Sequence, residues 1–216
     1  MTQEDWAAAR TAYQRGDYAT ALSLYRVLAD QGDARAQENL GVMYESGLGV
    51  TKSHAEAVKW YRRAADQGNP DAQNSLGVMY ENGHGVARDP AQAAKWYRKA
   101  AERGDANAQH NLGNQFQSGL GVPQDYAEAI KWYRKAADQR HPMAQANLGV
   151  MYERGHGVPR DFVQAEMWFI LSASKFPASE AKSRGLVTRN RDELAAKMTP
   201  AEIAEAHRLA REWRHN

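Results

Sequence analysis

A chain that repeats itself at a fixed interval has few folds open to it. The stretch LGVMYESGLGV at 40–50 recurs as LGVMYENGHGV from 76, LGNQFQSGLGV from 112 and LGVMYERGHGV from 148, each copy 36 residues after the last. Residues 40–75 and 76–111 agree at 20 of 36 positions. A unit of that length holds two helices and two short connections. One such hairpin cannot bury its own apolar face, so neighbouring copies must stack into a one-dimensional array.

The punctuation of the repeat supports two helices per unit. Asn69-Pro70 and His141-Pro142 read as starts of the first helix, and Gly47, Gly83, Gly119 and Gly155 as its C-terminal stops. Asp89, Asp125 and Asp161 stand where the second helix needs an N-cap, with Pro90 following in one copy. Gly32, Gly68 and Gly104 close the second helix. Arg140 takes that place once, where a left-handed conformation would be strained. At about 100° per residue, Ala36, Gln37, Leu40, Met43 and Tyr44 share one stripe of the first helix. Ala57, Trp60, Tyr61 and Ala64 form the matching stripe on the second. Gly41, Gly77, Gly113 and Gly149 recur mid-helix, at a cost of ~1 kcal/mol each against alanine, which implies close approach of another backbone.

The residues Leu76, Gly77, Tyr80, Gly83, Gly85, Ala93, Trp96, Tyr97, Ala100 and Ala101, with their equivalents, make the chain similar to Sel-one-like repeats, relatives of the tetratricopeptide repeat. The resemblance covers residues 34 to about 173, whereas AYQRGDYATALSLY near the start looks like a plain tetratricopeptide hairpin with a short Gly16-Asp17 turn. It implies an all-α fold: a right-handed α/α superhelical solenoid of about five helix-turn-helix repeats plus C-terminal capping helices. It also implies a role in protein–protein contact. The expected organisation is a repeat array over 1–183 (1–33 tetratricopeptide-like, 34–176 Sel-one-like), then capping helices over 184–216.

Capping is legible in the last unit. The outward column Lys59, Arg62, Arg63, repeated as Lys95, Arg98, Lys99 and Lys131, Arg134, Lys135, becomes Met167, Ile170, Leu171. Three solvated positions turning apolar together means that something covers them. Leu186, Val187, Leu194 and Met198, then Ile203, Leu209 and Trp213, are the candidates, with Thr199 and Glu202 reading as a capping box. The rival is a homodimer interface; a monomer is expected.

Composition narrows the chemistry. Cysteine is absent, which removes disulfides, thiolate catalysis and cysteine-ligated zinc. No apolar run is long enough for a membrane span, and the opening MTQEDWAAAR has no signal-peptide pattern, so a cytoplasmic protein is expected, or a periplasmic or secreted one if a leader preceded Met1. His84 and His156 share a loop column two repeats apart, too far to converge on one ion, and are expected exposed. Each Gly-x-Gly follows a helix, not a strand, so it is no phosphate cradle. No enzyme, cofactor or small-molecule substrate is expected.

Two surfaces remain. The basic column, with Lys95, Arg98, Lys131 and Arg134, could bind nucleic acid or lipid headgroups, but Glu56, Asp66, Glu102, Glu128 and Asp138 share its sector and no aromatic residue is interleaved to stack a base, so a solvated face is the expectation. The first helices opposite their buried stripe present Glu38, Val42, Glu45; Asn74, Val78, Glu81; Asn107, His110, Asn114, Gln117; and Val150, Glu153. In a superhelix these line the concave side. With Arg35, Asp71 and Arg154 the face carries five acidic and two basic residues on a chain of net charge +2. An acidic groove with valine footholds suits a basic peptide or helix of a partner protein. In the third copy Asn107, His110, Asn114 and Gln117 form a polar cluster, amides that could hydrogen-bond a bound backbone. Gln115, in a column otherwise Met, reads as a packing compromise.

Overall fold

The computed structural model describes residues 3–215. Among them the regular elements are all helical: α1 (Gln3–Gln14), α2 (Tyr18–Asp30), α3 (Ala34–Ser46), α4 (His54–Asp66), α5 (Pro70–Asn82), α6 (Pro90–Glu102), α7 (Ala106–Ser118), α8 (Tyr126–Asp138), α9 (Pro142–Arg154), α10 (Phe162–Ala173), a 3-10 turn (Ala178–Glu180), α11 (Ala181–Ala195) and α12 (Pro200–His215). The class is an all-α repeat solenoid. Residues 1, 2 and 216 of the expected organisation lie outside the described residues. The expected boundary at 183/184 falls inside α11. The chain divides into two compact units, one up to Asp105 and one from Ala106.

In the first unit α1 pairs with α2, α3 with α4 and α5 with α6, while α2 stacks on α3 and α4 on α5. Tyr25, Leu28, Leu40, Met43, Tyr61, Leu76 and Met79 fill its core. Asn69 and Asp89 cap as the spacing predicts, and Asp33 and Ser53 cap the other two helices; each accepts from backbone N–H groups of its first turn. Gly47 and Gly83 are left-handed at the C-caps of α3 and α5. A buried glutamine ties each first helix to the one before. Gln37 Nε2 donates to the Ala29 carbonyl at 3.1 Å and Gln73 Nε2 to that of Ala65 at 3.0 Å, a second donor for helix-end carbonyls that also accept from the Gly32 and Gly68 N–H groups.

The mid-helix glycines answer to a ring, not to a backbone. A Cβ on Gly41 would lie 2.4 Å from the Tyr61 ring, one on Gly77 2.6 Å from Tyr97, one on Gly113 2.5 Å from Tyr133 and one on Gly149 2.6 Å from Phe169. The expectation of a close backbone is therefore corrected. The glycine gives the aromatic of its own second helix a flat seat, so the interior of each hairpin closes without a void.

In the second unit α7 pairs with α8 and α9 with α10, and α8 stacks on α9. Arg140 takes φ 66°, the left-handed value its position requires. Both α11 and α12 pack on α10 of the same chain, with Met167 and Leu171 buried and Ile170 half-buried. Val187 and Leu194 are buried, Trp213 meets Trp168 edge-on at 5.7 Å, and Thr199 and Glu202 close the capping box reciprocally. One expected cover residue is not a cover: Leu186 is 55% exposed, because α11 turns its Val187 side inward. In the tryptophan column of the second-helix stripe, Trp60 and Trp132 are buried and Trp96 is half-buried.

Candidate functional site

The acidic residues of the first-helix face in the first unit are held from behind. Tyr61 and Tyr97 are buried; the Tyr61 hydroxyl donates to Glu45 at 2.6 Å and the Tyr97 hydroxyl to Glu81 at 2.6 Å. The same rings that sit on the glycine seats thus fix the carboxylates. Burial first, then the adjacent carboxylate, pushes both phenols far up, so each stays a donor. Val42 and Val78 are half-buried beside them. Glu38 is half-buried too, and burial, then the charge of Asp71, pushes its carboxyl up to about 7. Arg35 is turned away from this field: it pairs with Asp33 at 3.3 Å and lies 4.6 Å above the Trp6 ring. Asn74 is half-buried on the same face.

In the second unit the altered third copy replaces the carboxylate by amides. The Tyr133 hydroxyl has Gln117 Oε1 at 2.6 Å and Asn114 Oδ1 at 2.7 Å. Asn147 of α9 donates to the same Asn114 oxygen at 2.9 Å. His110 Nε2 lies 3.4 Å from Asn114 Nδ2 and 3.3 Å from Asn147 Nδ2, so the ring nitrogen accepts. Its ring stacks on His141 at 4.8 Å, and His141 in turn caps α9 through Nδ1 and meets Asn107 Oδ1 at 3.2 Å. Asn107, His110, Asn114 and Gln117 are thus brought together as expected. Their hydrogen bonds, however, stitch α7, α8 and α9 to one another: the single phenol proton of Tyr133 is shared between the Gln117 and Asn114 oxygens, and the Asn114 oxygen accepts from Asn147 as well. Burial, with His141 second, holds the His110 imidazole down at about 4.

The fourth copy breaks the pattern again. Phe169 has no hydroxyl, and Glu153 instead faces Lys197, beyond the end of α11, at 3.4 Å. Val150 packs towards the cluster that holds Val187 and Leu194. Glu153, Val150, Asn190 and Lys197 border an open cleft of about 400 Å³.

The basic column is engaged within the chain. Arg63 lies 4.5 Å over Trp60, Lys99 3.9 Å over Trp96 and Lys135 4.3 Å over Trp132. Lys59 and Lys131 pair with Glu56 and Glu128 at 2.5 Å each. Arg62 donates to the Tyr80 hydroxyl, and Arg134 to that of Tyr152 at 2.5 Å. Of the loop histidines His84 is exposed as expected, though its ring stacks on His54 at 4.8 Å, while His156 is half-buried and stacks on Tyr126 at 4.6 Å. Among the described residues no group of three His, Asp or Glu side chains is placed to hold a metal ion. No helix of the described residues is long and apolar enough to cross a membrane.

Sequence reasoning missed two things. The tyrosine–acceptor bond joins residues 16 apart, and its signal was the recurrence of Tyr 16 residues after Glu45, Glu81 and Gln117. Glu166 is 2% exposed in α10, in the column of Val58, Ala94 and Ile130. That break with an apolar column was readable.

Comparison with known proteins agrees with the repeat. The sequence model of the Sel1 repeat matches residues 7–33, 34–69, 70–105, 106–141 and 142–175, so its first match includes the short-turn hairpin. A Sel1 repeat protein from Oxalobacter formigenes shares 37% identity at a TM-score of 0.72, over 77% of this chain and 69% of that one. The protective antigen c5321, present in uropathogenic Escherichia coli strains and displaying an SLR fold, shares 33% identity at a TM-score of 0.56, over 91% of this chain and 48% of its own. The immunity protein PA5088 from Pseudomonas aeruginosa, at 20% identity, 88% and 82% coverage and a TM-score of 0.53, shares the fold. No curated protein matches the chain.

Proposed function

The chain belongs to the Sel1 repeat family, non-catalytic scaffolds that mediate protein–protein contact, and we propose that it is an adaptor holding a basic peptide or helix of a partner on the first-helix face of its repeats. The observation that carries this reading is the pair of carboxylates, Glu45 and Glu81, each fixed by a buried tyrosine hydroxyl beside a half-buried valine. A side chain fixed in advance loses little entropy when a partner's cation meets it. Glu38 and Asp71 add negative field, and Val42 and Val78 add apolar contact. Such a field favours positively charged partners and speeds their encounter at low salt. In the second unit Asn107 and Gln117, at the edge of the hydrogen-bonded network, are the amides nearest to hand for a bound backbone, while Val150 and Glu153 are shared with α11.

Affinity capture with the wild type and with Glu45→Gln/Glu81→Gln tests the reading. The amide keeps an acceptor for each tyrosine and removes only the charge. Partners held by this face should be retained by the wild type and lost from the variant, with release rising steeply with salt. Equal retention by both proteins would remove the acidic face from the site.

A further inference from the structure

The glycine seat occurs once more. Gly185 stands 36 residues after Gly149, in the second turn of α11, and α11 stacks on α10 as the first helix of a further hairpin would. Val187 falls in the column of Met151 and is buried like it. At Gly41, Gly77, Gly113 and Gly149 an aromatic ring fills the space above the glycine; at Gly185 nothing lies within 4 Å of where a Cβ would be. The helix that follows in sequence does not supply the ring. In α12 the corresponding position is Glu205, engaged with Arg208 at 2.5 Å, and α12 packs on α10. The flank of α11 left open holds a cleft of about 420 Å³ bordered by Ala181, Lys182, Gly185, Leu186 and Arg189. Leu186 is 55% exposed there.

We propose that this flank of α11 is a second docking surface, which takes an amphipathic helix of a partner by seating its Tyr or Phe ring on Gly185. The occupant follows from the hairpins already built. In those with a tyrosine an alanine lies three residues on, as in Tyr61 with Ala64 and Tyr133 with Ala136, which lets the helix come close. The rim fixes the polarity. The column that presents Glu45, Glu81 and Gln117 to a tyrosine hydroxyl presents Arg189 here, a donor only, so a hydroxyl or carboxylate of the partner accepts from it. Lys182 beside the seat favours carboxylates on the same helix. A lone mid-helix glycine with no ring to accommodate weakens α11, and continuity with four complete hairpins gives it a use. This surface is separate from the acidic face, so either reading can fail without the other.

The probe is a blocked peptide of residues 125–138, the chain's own α8 sequence, which carries Tyr133, Ala136 and three carboxylates. The protein of residues 1–216 is titrated and followed by the amide resonances of Gly185 and Leu186. Saturable shifts are expected, weakened at least fivefold by Tyr133→Ala in the peptide and by Gly185→Ala in the protein. Gly185→Ala meets no atom within 4 Å, so it leaves the fold intact. Amides that do not move at millimolar peptide, or a Tyr133→Ala peptide that binds as well, overturn the proposal. So does a wild type that dimerises in ultracentrifugation through Gly185, since the occupant is then a second copy.

Discussion

One added methyl group distinguishes the two kinds of mid-helix glycine. At Gly77 it would meet the Tyr97 ring at 2.6 Å, inside a hairpin where that ring is wholly buried. Overpacking of that kind costs ~1–3 kcal/mol and outweighs the ~1 kcal/mol that alanine gains in a helix interior. Gly77→Ala should therefore lower the denaturant midpoint, and Gly185→Ala should leave it unchanged or raise it. An unchanged midpoint for Gly77→Ala would mean that the ring moves aside at no cost. The glycine column was plain in the sequence, but not what faced it: a periodic column says that something comes close, not whether it is a backbone or the ring twenty residues on. Tyr44 and Tyr61 look alike as letters. One accepts from Arg26 and the other donates to Glu45, a difference set by which helix each hydroxyl meets.

At the scale of elements, the ends and joints of the helices carry the titrating groups, and two of them oppose each other. His110 joins α7 to α9 as an acceptor. Its folded value of about 4 lies below the ordinary 6.5, so the unfolded chain takes up the proton first. Stability from this joint is whole above pH 6.5 and is lost as pH falls towards 4. Replacing the ring by the residue of the second copy, His110→Asn, should flatten the acid limb of a stability–pH curve; a limb equally steep would place the loss elsewhere. Glu166, between α10 and α11, runs the other way. Burial raises it to about 7, against Arg191 and with Asp192, so its stability is whole below 4.5 and is lost as pH rises through 7. Glu166→Ile, which restores the column of Ile130, should raise the unfolding free energy at pH 8 by on the order of 1–3 kcal/mol and by far less at pH 4.5. An equal gain at both pH values would show that packing alone is at stake. The cap over Met167, Ile170 and Leu171 was legible because three charged positions turned apolar together. Glu166 was passed over because a carboxylate on a charged helix reads as surface until its own column is examined.

For the whole molecule the question is how a chain of net charge +2 presents an acidic face suited to the cationic partner proposed above. The answer lies in where charge is committed. Much of the basic column is spent on tryptophan rings, tyrosine hydroxyls and glutamates of its own repeats, while Glu45 and Glu81 are fixed on the first-helix face. The face and its residues were legible from the wheel, since angle around a helix follows from spacing alone; the commitment of the opposite charges was not, since it depends on contacts between neighbouring hairpins. In the proposed binding mode Glu38 makes the charge of this face adjustable. Its carboxyl is pushed up to about 7 by burial and Asp71, so at pH 5.5 it is mostly neutral and at pH 8 mostly ionised. The same raised value means that the folded chain loses stability as pH climbs from 4.5 through 7, and a partner's cation brought to Glu38 returns part of it. Affinity for a lysine-rich amphipathic peptide should therefore rise from pH 5.5 to 8, by roughly three- to tenfold for one additional ion pair worth ~0.7–1.4 kcal/mol. In Glu38→Gln the pH slope should vanish while the salt dependence due to Glu45 and Glu81 persists. Calorimetric titration at both pH values and two salt concentrations separates the contributions. An affinity that falls with rising pH, or a slope that survives Glu38→Gln, would remove Glu38 from the binding face.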